Sequence, residues 1–408
     1  MKDFEKKARA YALRNALAHG GKAQPGAVIS SLFHEGLEKS EVKKYAKDIS
    51  ETVNEVNSLS SAEQEKEFSE LEEVISERET REGLEELPGV GKNGVVMRFR
   101  PSPSGPLHVG HLISNIISSL YVKKYGGKFY VIIDDTDPKT AMKDAYAKIR
   151  KDCDWAFGNV HEYINASDRM SLYYRYAKTL IEKNAAYICT CTPEEFRKFS
   201  ESKKECPCRK LSSGDNLGRW DKMISKDAKS NFAEGEAVLR FKTPAEFGGM
   251  KNPNPAMRDF PLARISEAEH PLQKGKYRVW PLMNLAVTSD DIELGMTHII
   301  RGKDHRDNAE RQKMIYHILG KKYPWAAFIG RIKFTDLALS KRKLTAAIKS
   351  GEFSGEEDER LPTIASLRKR GFKPEAFAKF AEQRGITEVD KVMNSAEFFR
   401  VIGNFGKG

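Results

Sequence analysis

The fold of the chain is decided at residues 98–111, which read Arg98-Phe-Arg-Pro-Ser-Pro-Ser-Gly-Pro-Leu-His-Val-Gly-His111. An apolar, β-prone run leads into this stretch, and its prolines and glycine end the strand. From Gly110 onward the apolar residues recur at helical spacing. The sequence therefore predicts a strand that passes through a turn directly into a helix, with His108 and His111 in the first helical turn.

The start of this predicted helix favours an anion. Backbone N–H groups without intrahelical partners and the positive end of the helix dipole both attract negative charge there. Gly110 lets a flat nucleotide lie against the backbone, where a Cβ would collide. Two neutral imidazoles, His108 and His111, can stabilise charge that develops on an α-phosphate. By itself, a His-x-Gly-His sequence is also typical of capping or core histidines, so other parts of the chain must decide.

Further motifs follow the first one in a fixed order. Asp134-Asp-Thr-Asp-Pro138 comes directly after a predicted strand, and the segment we call the signature loop, residues 330–343, ends in Leu339-Ser-Lys-Arg-Lys343. In this order the motifs resemble class I aminoacyl-tRNA synthetases, and within that class the glutamyl and glutaminyl branch. The resemblance covers residues 95–385. Near the N-terminus, residues 20–28 and 53–57 resemble the extension of the archaeal-type glutamyl enzymes, which implies an auxiliary contact with tRNA.

The predicted fold class is α/β, with a Rossmann-type catalytic domain. We predict a helical N-terminal extension at 1–92, a first Rossmann half at 93–188, an inserted domain with a Cys cluster at 189–265, a second Rossmann half at 266–330, and the signature loop with a helical domain at 331–408. The β-α-β order at the start of the first half implies parallel strands. The resemblance implies that the inserted domain receives the acceptor end of tRNA and that the C-terminal helices contact the inner side of its L.

The resemblance also implies a pocket for an acidic amino acid. It places the carboxylate of Asp134 at the substrate α-amino group, and it pairs Arg98 and Arg301 with the side-chain carboxylate. Two guanidiniums can fork onto one carboxylate, and an amide would leave donors unpaired, so glutamate is favoured over glutamine. Taken singly, each arginine could equally form a surface ion pair. The family usually has an arginine where this chain has Ile132, which we interpret as the loss of a structural ion pair.

The signature loop carries three consecutive cations. Alone, such a run is typical of a solvated helix face. In the resemblance, Lys341 and Lys343 neutralise the pyrophosphate leaving group, and Ser340 and Lys341 bind ATP together with Gly110. The predicted catalytic residues are therefore His108, His111, Lys341 and Lys343, with Mg²⁺ entering bound to ATP.

Four of the five cysteines are clustered. Cys189 and Cys191 are separated by fourteen residues from Cys206 and Cys208. Two close pairs of thiols can converge on a tetrahedral ion, and four sulfur ligands suit a structural zinc with no open position. Free thiols or disulfides remain the alternative.

The composition permits a polyanionic partner without requiring one. The 408 residues include 69 Lys and Arg against 58 Asp and Glu, a formal net charge of +11. No run of eighteen apolar residues occurs, and the charged N-terminus has no apolar stretch behind it. We expect a cytoplasmic monomer without a membrane contact.

The resemblance implies ATP-dependent activation of L-glutamate and transfer to the 3′ end of tRNA for glutamate, with tRNA for glutamine left open. Two other functions stay open. One is a His-x-Gly-His nucleotidyltransferase, and the other is a synthetase paralogue that binds RNA or a partner without charging. Beyond Asp390 no strand-rich segment is left for the β-barrels with which the family grips the anticodon, so we expect these to be missing.

Overall fold

The computed structural model describes residues 3–38, 40–75, 83–337 and 340–406. It divides into two compact units, Met1–Thr80 and Arg81–Gly408. The first unit is helical, as predicted for the N-terminal region. Its helices are α1 (Phe4–Ala18), α2 (Pro25–His34), α3 (Val42–Ser58) and α4 (Ser61–Leu71).

The first unit has its own apolar core and a buried polar clamp. Leu13, Val28 and Ile49 are fully buried in that core. Gln64 donates from Nε2 to the backbone carbonyl oxygens of Gly21 and Val56, which ties α4 to the turn after α1. Because a small helical unit gains little from propensity alone, this core is what stabilises it.

The second unit begins with a parallel sheet. Its elements are β1 (Val95–Phe99), α5 (Val109–Tyr125), β2 (Gly127–Ile133), α6 (Ala145–Phe157), β3 (Glu162–Asn165) and α7 (Met170–Glu182). The strand order is β1-β2-β3, and both pairings are parallel. Gly127 makes the tight return from α5 possible, because its φ is +112° and a Cβ there would lie 2.1 Å from the carbonyl oxygen of Val95. The predicted β-α-β unit is confirmed.

An antiparallel sheet follows. It is built from β4 (Ala186–Cys189), β5 (Val238–Phe241), β6 (Pro261–Ile265) and β7 (Val279–Pro281), with α8 (Pro193–Glu201) and α9 (Ser213–Ile224) between β4 and β5. The sheet thus extends from Ala186 to Pro281, past both predicted bounds of the inserted domain. The segment 277–281, which we assigned from sequence to the second Rossmann half, pairs with β6 in this sheet.

The chain then returns to the parallel sheet. The elements are α10 (Met283–Glu293), β8 (His298–Gly302), α11 (Arg306–Ile318) and β9 (Trp325–Ile329), and β8 pairs with β9 in parallel. The backbone N–H of Thr297 donates to the carbonyl oxygen of Val96 at 3.0 Å, so β8 begins beside β1. The carboxyl ends of β1, β2 and β8 therefore meet at one edge, where ligands bind in such sheets.

The remaining elements form the C-terminal part. They are β10 (Ile332–Phe334), α12 (Lys341–Lys349), α13 (Ile364–Lys369), α14 (Pro374–Arg384), β11 (Lys391–Met393) and α15 (Ser395–Asn404). Phe377 and Phe398 are fully buried, and they join the same apolar core as the α5 side of the parallel sheet. This packing fixes the C-terminal helices against α5 and the parallel sheet.

Alternation along β1 and β2 gives the two faces of the sheet different neighbours. Met97, Phe99 and Val131 lie in the core shared with α5. The opposite parity places Arg98 and Ile132 on the other face of the sheet. On this face, Arg98 and the next residue of the same parity, Arg100, contact Asp291 and Asp290 of α10.

Candidate active site

A cavity of about 810 Å³ lies at the carboxyl ends of β1, β2 and β8. Its lining includes Arg98, His108, Gly110, His111, Asp134, Arg301 and Lys341. The structure thus brings together most of the residues that the sequence singled out. Ser340 and Lys343 are not among the lining residues.

His108 and His111 cap the first turn of α5 with their rings. The Gly110 backbone N–H donates to Nδ1 of His108, and the His108 backbone N–H donates to Nδ1 of His111, both at 3.2 Å. The two ring centroids are 3.8 Å apart. With Nδ1 used as an acceptor, each neutral ring carries its proton on Nε2.

Both rings are neutral at physiological pH. Burial, and then the charge of Lys341, lowers the pKa of His108 to about 3. Burial, followed by the neighbouring His108, holds the pKa of His111 well below its usual value. The pair therefore offers two imidazole N–H donors without a positive charge, as the sequence analysis expected.

The backbone amides of this turn do not behave as predicted. The Val109 N–H donates to the carbonyl oxygen of Pro362 at 2.8 Å, and the N–H of His111 donates to the carbonyl oxygen of His108, also at 2.8 Å. With the Gly110 N–H held by the ring of His108, these N–H groups already have partners. The predicted binding of an anion by free backbone N–H groups at this helix end is therefore not supported, and the imidazole side chains are the donors that remain.

Lys341 reaches the cavity from the first turn of α12. Its Nζ donates to the carbonyl oxygen of Ser102 at 2.6 Å, and burial lowers its pKa to about 8. Ser340 precedes α12 as its N-cap residue, and Lys343 is exposed. Leu339, also part of the signature loop, lies outside the described residues.

Arg98 and Arg301 differ sharply in their partners. Arg98 donates through Nε and Nη2 to the two carboxylate oxygens of Asp291, and both side chains are buried. Arg301 donates through Nη1 to the amide oxygen of Gln312 at 2.9 Å, and it forms no ion pair with any carboxylate among the described residues. Burial, and then the charge of Arg98, lowers the pKa of the Arg301 guanidinium. Arg301 therefore places a positive charge at the cavity that no carboxylate of the described chain pairs with directly.

Asp134 lies in a second buried charge network. Arg100 donates through Nε to its Oδ2 at 3.0 Å and through Nη1 to Asp290. Burial acts to raise the pKa of Asp134, but the charge of Arg100 outweighs burial and holds that pKa below its usual value. Asp134 thus stays ionised at the cavity wall, as its predicted contact with an ammonium group requires.

Sequence reasoning gave no role to Arg100, Asp290 or Asp291. Arg100 stands in the quoted stretch 98–111, at the end of the predicted strand 95–100, where no pattern indicates a role for it. Asp290 and Asp291 are adjacent carboxylates in α10, where both are buried. Two neighbouring acids among apolar helix residues are the signal that indicates buried ion pairs.

The four clustered cysteines converge. Their sulfur atoms all lie within 4.8 Å of one another, and the Sγ atoms of Cys189 and Cys206 are 4.0 Å apart, as are those of Cys191 and Cys208. A tetrahedral zinc with bonds of about 2.3 Å separates its sulfur ligands by about 3.8 Å. A disulfide needs about 2.05 Å, so the spacing fits a metal centre.

Comparison with known proteins agrees with this architecture. A parallel sheet that carries His-x-Gly-His at one strand end and a lysine loop opposite defines the catalytic domain of a class I aminoacyl-tRNA synthetase. A family model described as "tRNA synthetases class I (E and Q), catalytic domain" matches residues 94–402. The chain belongs to this family.

Relatives extend the match to nearly the whole chain. A glutamate–tRNA ligase of Methanocaldococcus jannaschii is 42% identical over 95% of this chain and 68% of its own length. One of Methanobrevibacter smithii is 40% identical over 99% of this chain and 71% of its own length. A crystal structure of a glutamate tRNA ligase from Elizabethkingia meningosepticum in complex with its amino acid aligns with 21% identity and a TM-score of 0.49, over 71% of this chain and 60% of that chain.

Within the described ranges, no helix combines the length and the apolar character that crossing a bilayer requires.

Proposed function

We propose that this chain activates L-glutamate with ATP and transfers the glutamyl group to the 3′ end of tRNA. The observation that carries the proposal is the guanidinium of Arg301, which lacks a carboxylate partner among the described residues and shares a cavity with the histidine pair and Lys341. A ligand that brings its own carboxylate to this point neutralises the cation. An amide in the same position would leave the charge uncompensated.

In the proposed reaction the α-carboxylate of glutamate attacks the α-phosphorus of ATP in line, and pyrophosphate leaves with the electron pair of the broken P–O bond. The Nε2–H groups of His108 and His111 stabilise the charge on the α-phosphate oxygens in the transition state. Lys341 neutralises the leaving group, and the exposed Lys343 is available to join it when the signature loop closes. Mg²⁺ enters bound to ATP. A terminal ribose hydroxyl of tRNA then attacks the activated carbonyl, and AMP leaves.

Glutamate fits between two groups of opposite charge. Asp134 binds the α-ammonium group, and Arg301 binds the side-chain carboxylate. Arg98 has its Nε and Nη2 atoms committed to Asp291, so its contribution to the substrate comes through Nη1 and through its charge. The cavity wall thus binds both the α-ammonium group and the side-chain carboxylate of an acidic amino acid.

We infer that Cys189, Cys191, Cys206 and Cys208 hold a structural zinc ion. Four protein ligands leave no open coordination position, so the ion would cross-link the inserted domain without taking part in the reaction.

The net charge of +11 suits a tRNA partner. In this proposal the acceptor end of the tRNA contacts the inserted domain, and the N-terminal unit makes an auxiliary contact. Cytoplasmic location and a monomeric state remain predictions from the sequence.

The decisive experiment is amino-acid-dependent exchange of pyrophosphate into ATP. It is run with each of the twenty amino acids, with tRNA present and absent, and with Lys341→Ala as the control for signature-loop chemistry. We expect exchange with glutamate alone and a loss of at least about tenfold in the variant. Exchange with no amino acid would favour a nucleotidyltransferase, and binding of tRNA without charging would favour a non-catalytic paralogue.

Charging is tested separately. Purified tRNA for glutamate and tRNA for glutamine are each offered with radiolabelled glutamate. Acceptance of the first alone, or of both, decides which tRNA set the enzyme serves.

A further inference from the structure

Arg100 lines the cavity and holds a central place in a buried charge network at its wall. Its guanidinium joins Asp134 through Nε and Asp290 through Nη1, and only 5% of its side chain is exposed. Asp290 is fully buried and also accepts from Arg169 Nε at 2.6 Å and from the Tyr173 hydroxyl at 2.7 Å. Asp290 is therefore a fixed anchor, and Arg100 is clamped between this anchor and Asp134.

The contact with Arg100 helps to hold the carboxylate of Asp134 in one orientation. Its Oδ2 accepts from Arg100, and its Oδ1 accepts from the Thr136 hydroxyl at 2.9 Å. Its side chain remains 17% exposed at the cavity wall. Each carboxylate oxygen can accept more than one hydrogen bond, so both retain capacity for a ligand that carries N–H donors.

A buried arginine here is costly. Its Nη2 atom is buried without a hydrogen-bond partner in the described part of the chain. A buried donor of a charged group without a partner needs an explanation, and a role at the adjacent cavity supplies one. Replacing a whole buried ion network of this kind by well-packed apolar residues is often neutral or stabilising, so fold stability alone does not require Arg100 and its carboxylate partners.

The strand register places Arg100 beside Ile132. Phe99 pairs with Val131 in the parallel ladder, so Arg100 and Ile132 come next on the two strands. Ile132 is fully buried in an apolar cluster with Tyr130 and Tyr173. The ion pair that the sequence analysis took as lost at Ile132 is thus supplied from the adjacent strand, by Arg100.

We propose that Arg100 is a positioning residue that presents Asp134 to the α-ammonium group of the amino-acid substrate. The proposal rests on the proposed function, since it takes the ligand of Asp134 to be an amino acid. Arg100 touches neither ATP nor the substrate in this scheme. It acts through Asp134, by keeping that carboxylate ionised and in a fixed orientation.

The test compares two ligands that differ only in the ammonium group. Glutamate is assayed by pyrophosphate–ATP exchange, and glutarate, the same dicarboxylate without the amino group, is assayed as its competitive inhibitor. For Arg100→Ala we expect the KM for glutamate to rise by about tenfold or more, since Asp134 loses the fixed orientation in which it makes its charge-assisted contact with the ammonium group. The Ki for glutarate should change by less than about threefold, because that ligand makes no contact with Asp134.

Moving the guanidinium to the other strand provides a rescue. The double variant Arg100→Ala with Ile132→Arg carries it on the strand that leads to Asp134, two residues before the carboxylate. We expect this variant to recover most of the lost preference for glutamate over glutarate. Arg100→Lys keeps the positive charge but has one nitrogen, so it cannot bridge Asp134 and Asp290 as the guanidinium does. It provides a second variant to measure if the alanine variant does not fold.

Arg169→Gln is the matched control, because Arg169 contacts Asp290 and not Asp134. It should lower the melting temperature and leave the glutamate-to-glutarate ratio within about twofold of the starting protein. The proposal would be overturned if Arg100 variants weakened the binding of glutamate and glutarate equally. It would also be overturned if the double variant did not recover the preference for glutamate. If the unmodified chain instead activates a different amino acid, the proposed function alone is refuted, and the same ratio is measured with that amino acid and its deamino analogue.

Discussion

Replacing Arg301 with glutamine should separate activity from stability. Arg301 is partly buried, and its polar contact is with Gln312 rather than with a carboxylate. Losing its charge-assisted bond to the substrate carboxylate costs about 2 kcal/mol, which is about a thirtyfold drop in kcat/KM for glutamate. Activation of glutamine should be unchanged or improved, because the uncompensated charge is gone.

The effect on folding should be small, and Arg98→Gln provides the contrast. Arg301 forms no direct ion pair with a carboxylate in the described chain, so Arg301→Gln should change the free energy of unfolding by less than about 1 kcal/mol. Arg98 is paired with Asp291, whose side chain is only 1% exposed. Removing the guanidinium there leaves a buried carboxylate unpaired and should destabilise the fold by about 3–5 kcal/mol.

The assay is exchange with glutamate and with glutamine on both variants, alongside urea unfolding followed by circular dichroism. Equal loss of glutamate and glutamine activation in Arg301→Gln would show that Arg301 does not read the side-chain carboxylate. Destabilisation of Arg301→Gln as large as that of Arg98→Gln would refute the reasoning from their different partners.

Two further predictions concern Lys341 and the cysteine cluster. Burial lowers the pKa of Lys341 to about 8, so its charge is present below that pH and is lost above it. The exchange rate should therefore fall as the pH rises through about 8, and Lys341→Arg should shift that decline upward; an unchanged profile would exclude the lysine as its source. For the cluster, Cys206→Ser should lower bound zinc, measured by elemental analysis, and the melting temperature together, whereas Cys153→Ser should change neither the zinc content nor, by more than a few degrees, the melting temperature. Full zinc content in Cys206→Ser would contradict the assignment of the ligands.

The strand-turn-helix unit could be predicted because its signals are local. A β-prone run, a proline-rich turn and a change to helical spacing all occur within about thirty residues, and the structure has β1, α5 and β2 where the pattern indicates them. The convergence of the cysteine sulfurs was likewise suggested by close spacing. Predictions of this kind need no knowledge of distant contacts.

The charge network could not be predicted in the same way. The contact between Arg100 and Asp290 joins residues 190 positions apart, and it exists because α10 packs beside the face of the sheet that carries Arg98 and Arg100. No periodicity in either segment specifies that pairing. The end of the inserted domain escaped prediction for a similar reason, since β7 joins an antiparallel neighbour although the segment around it resembles the start of a parallel half.

The histidine pair shows how folding and chemistry can share the same atoms. Each ring uses Nδ1 to accept a backbone N–H at the start of α5, so the cap that stabilises the helix also fixes the tautomer. With the backbone donors of the turn already satisfied, Nε2–H is the group that remains for a phosphate oxygen. Because burial keeps both rings neutral, they can donate to a phosphate without adding to the positive charge of Arg98, Arg301 and Lys341. In the proposed reaction the cavity can therefore hold ATP and an acidic amino acid side by side, with its cations toward the leaving group and the side-chain carboxylate and the neutral donors toward the phosphorus at which the bond forms.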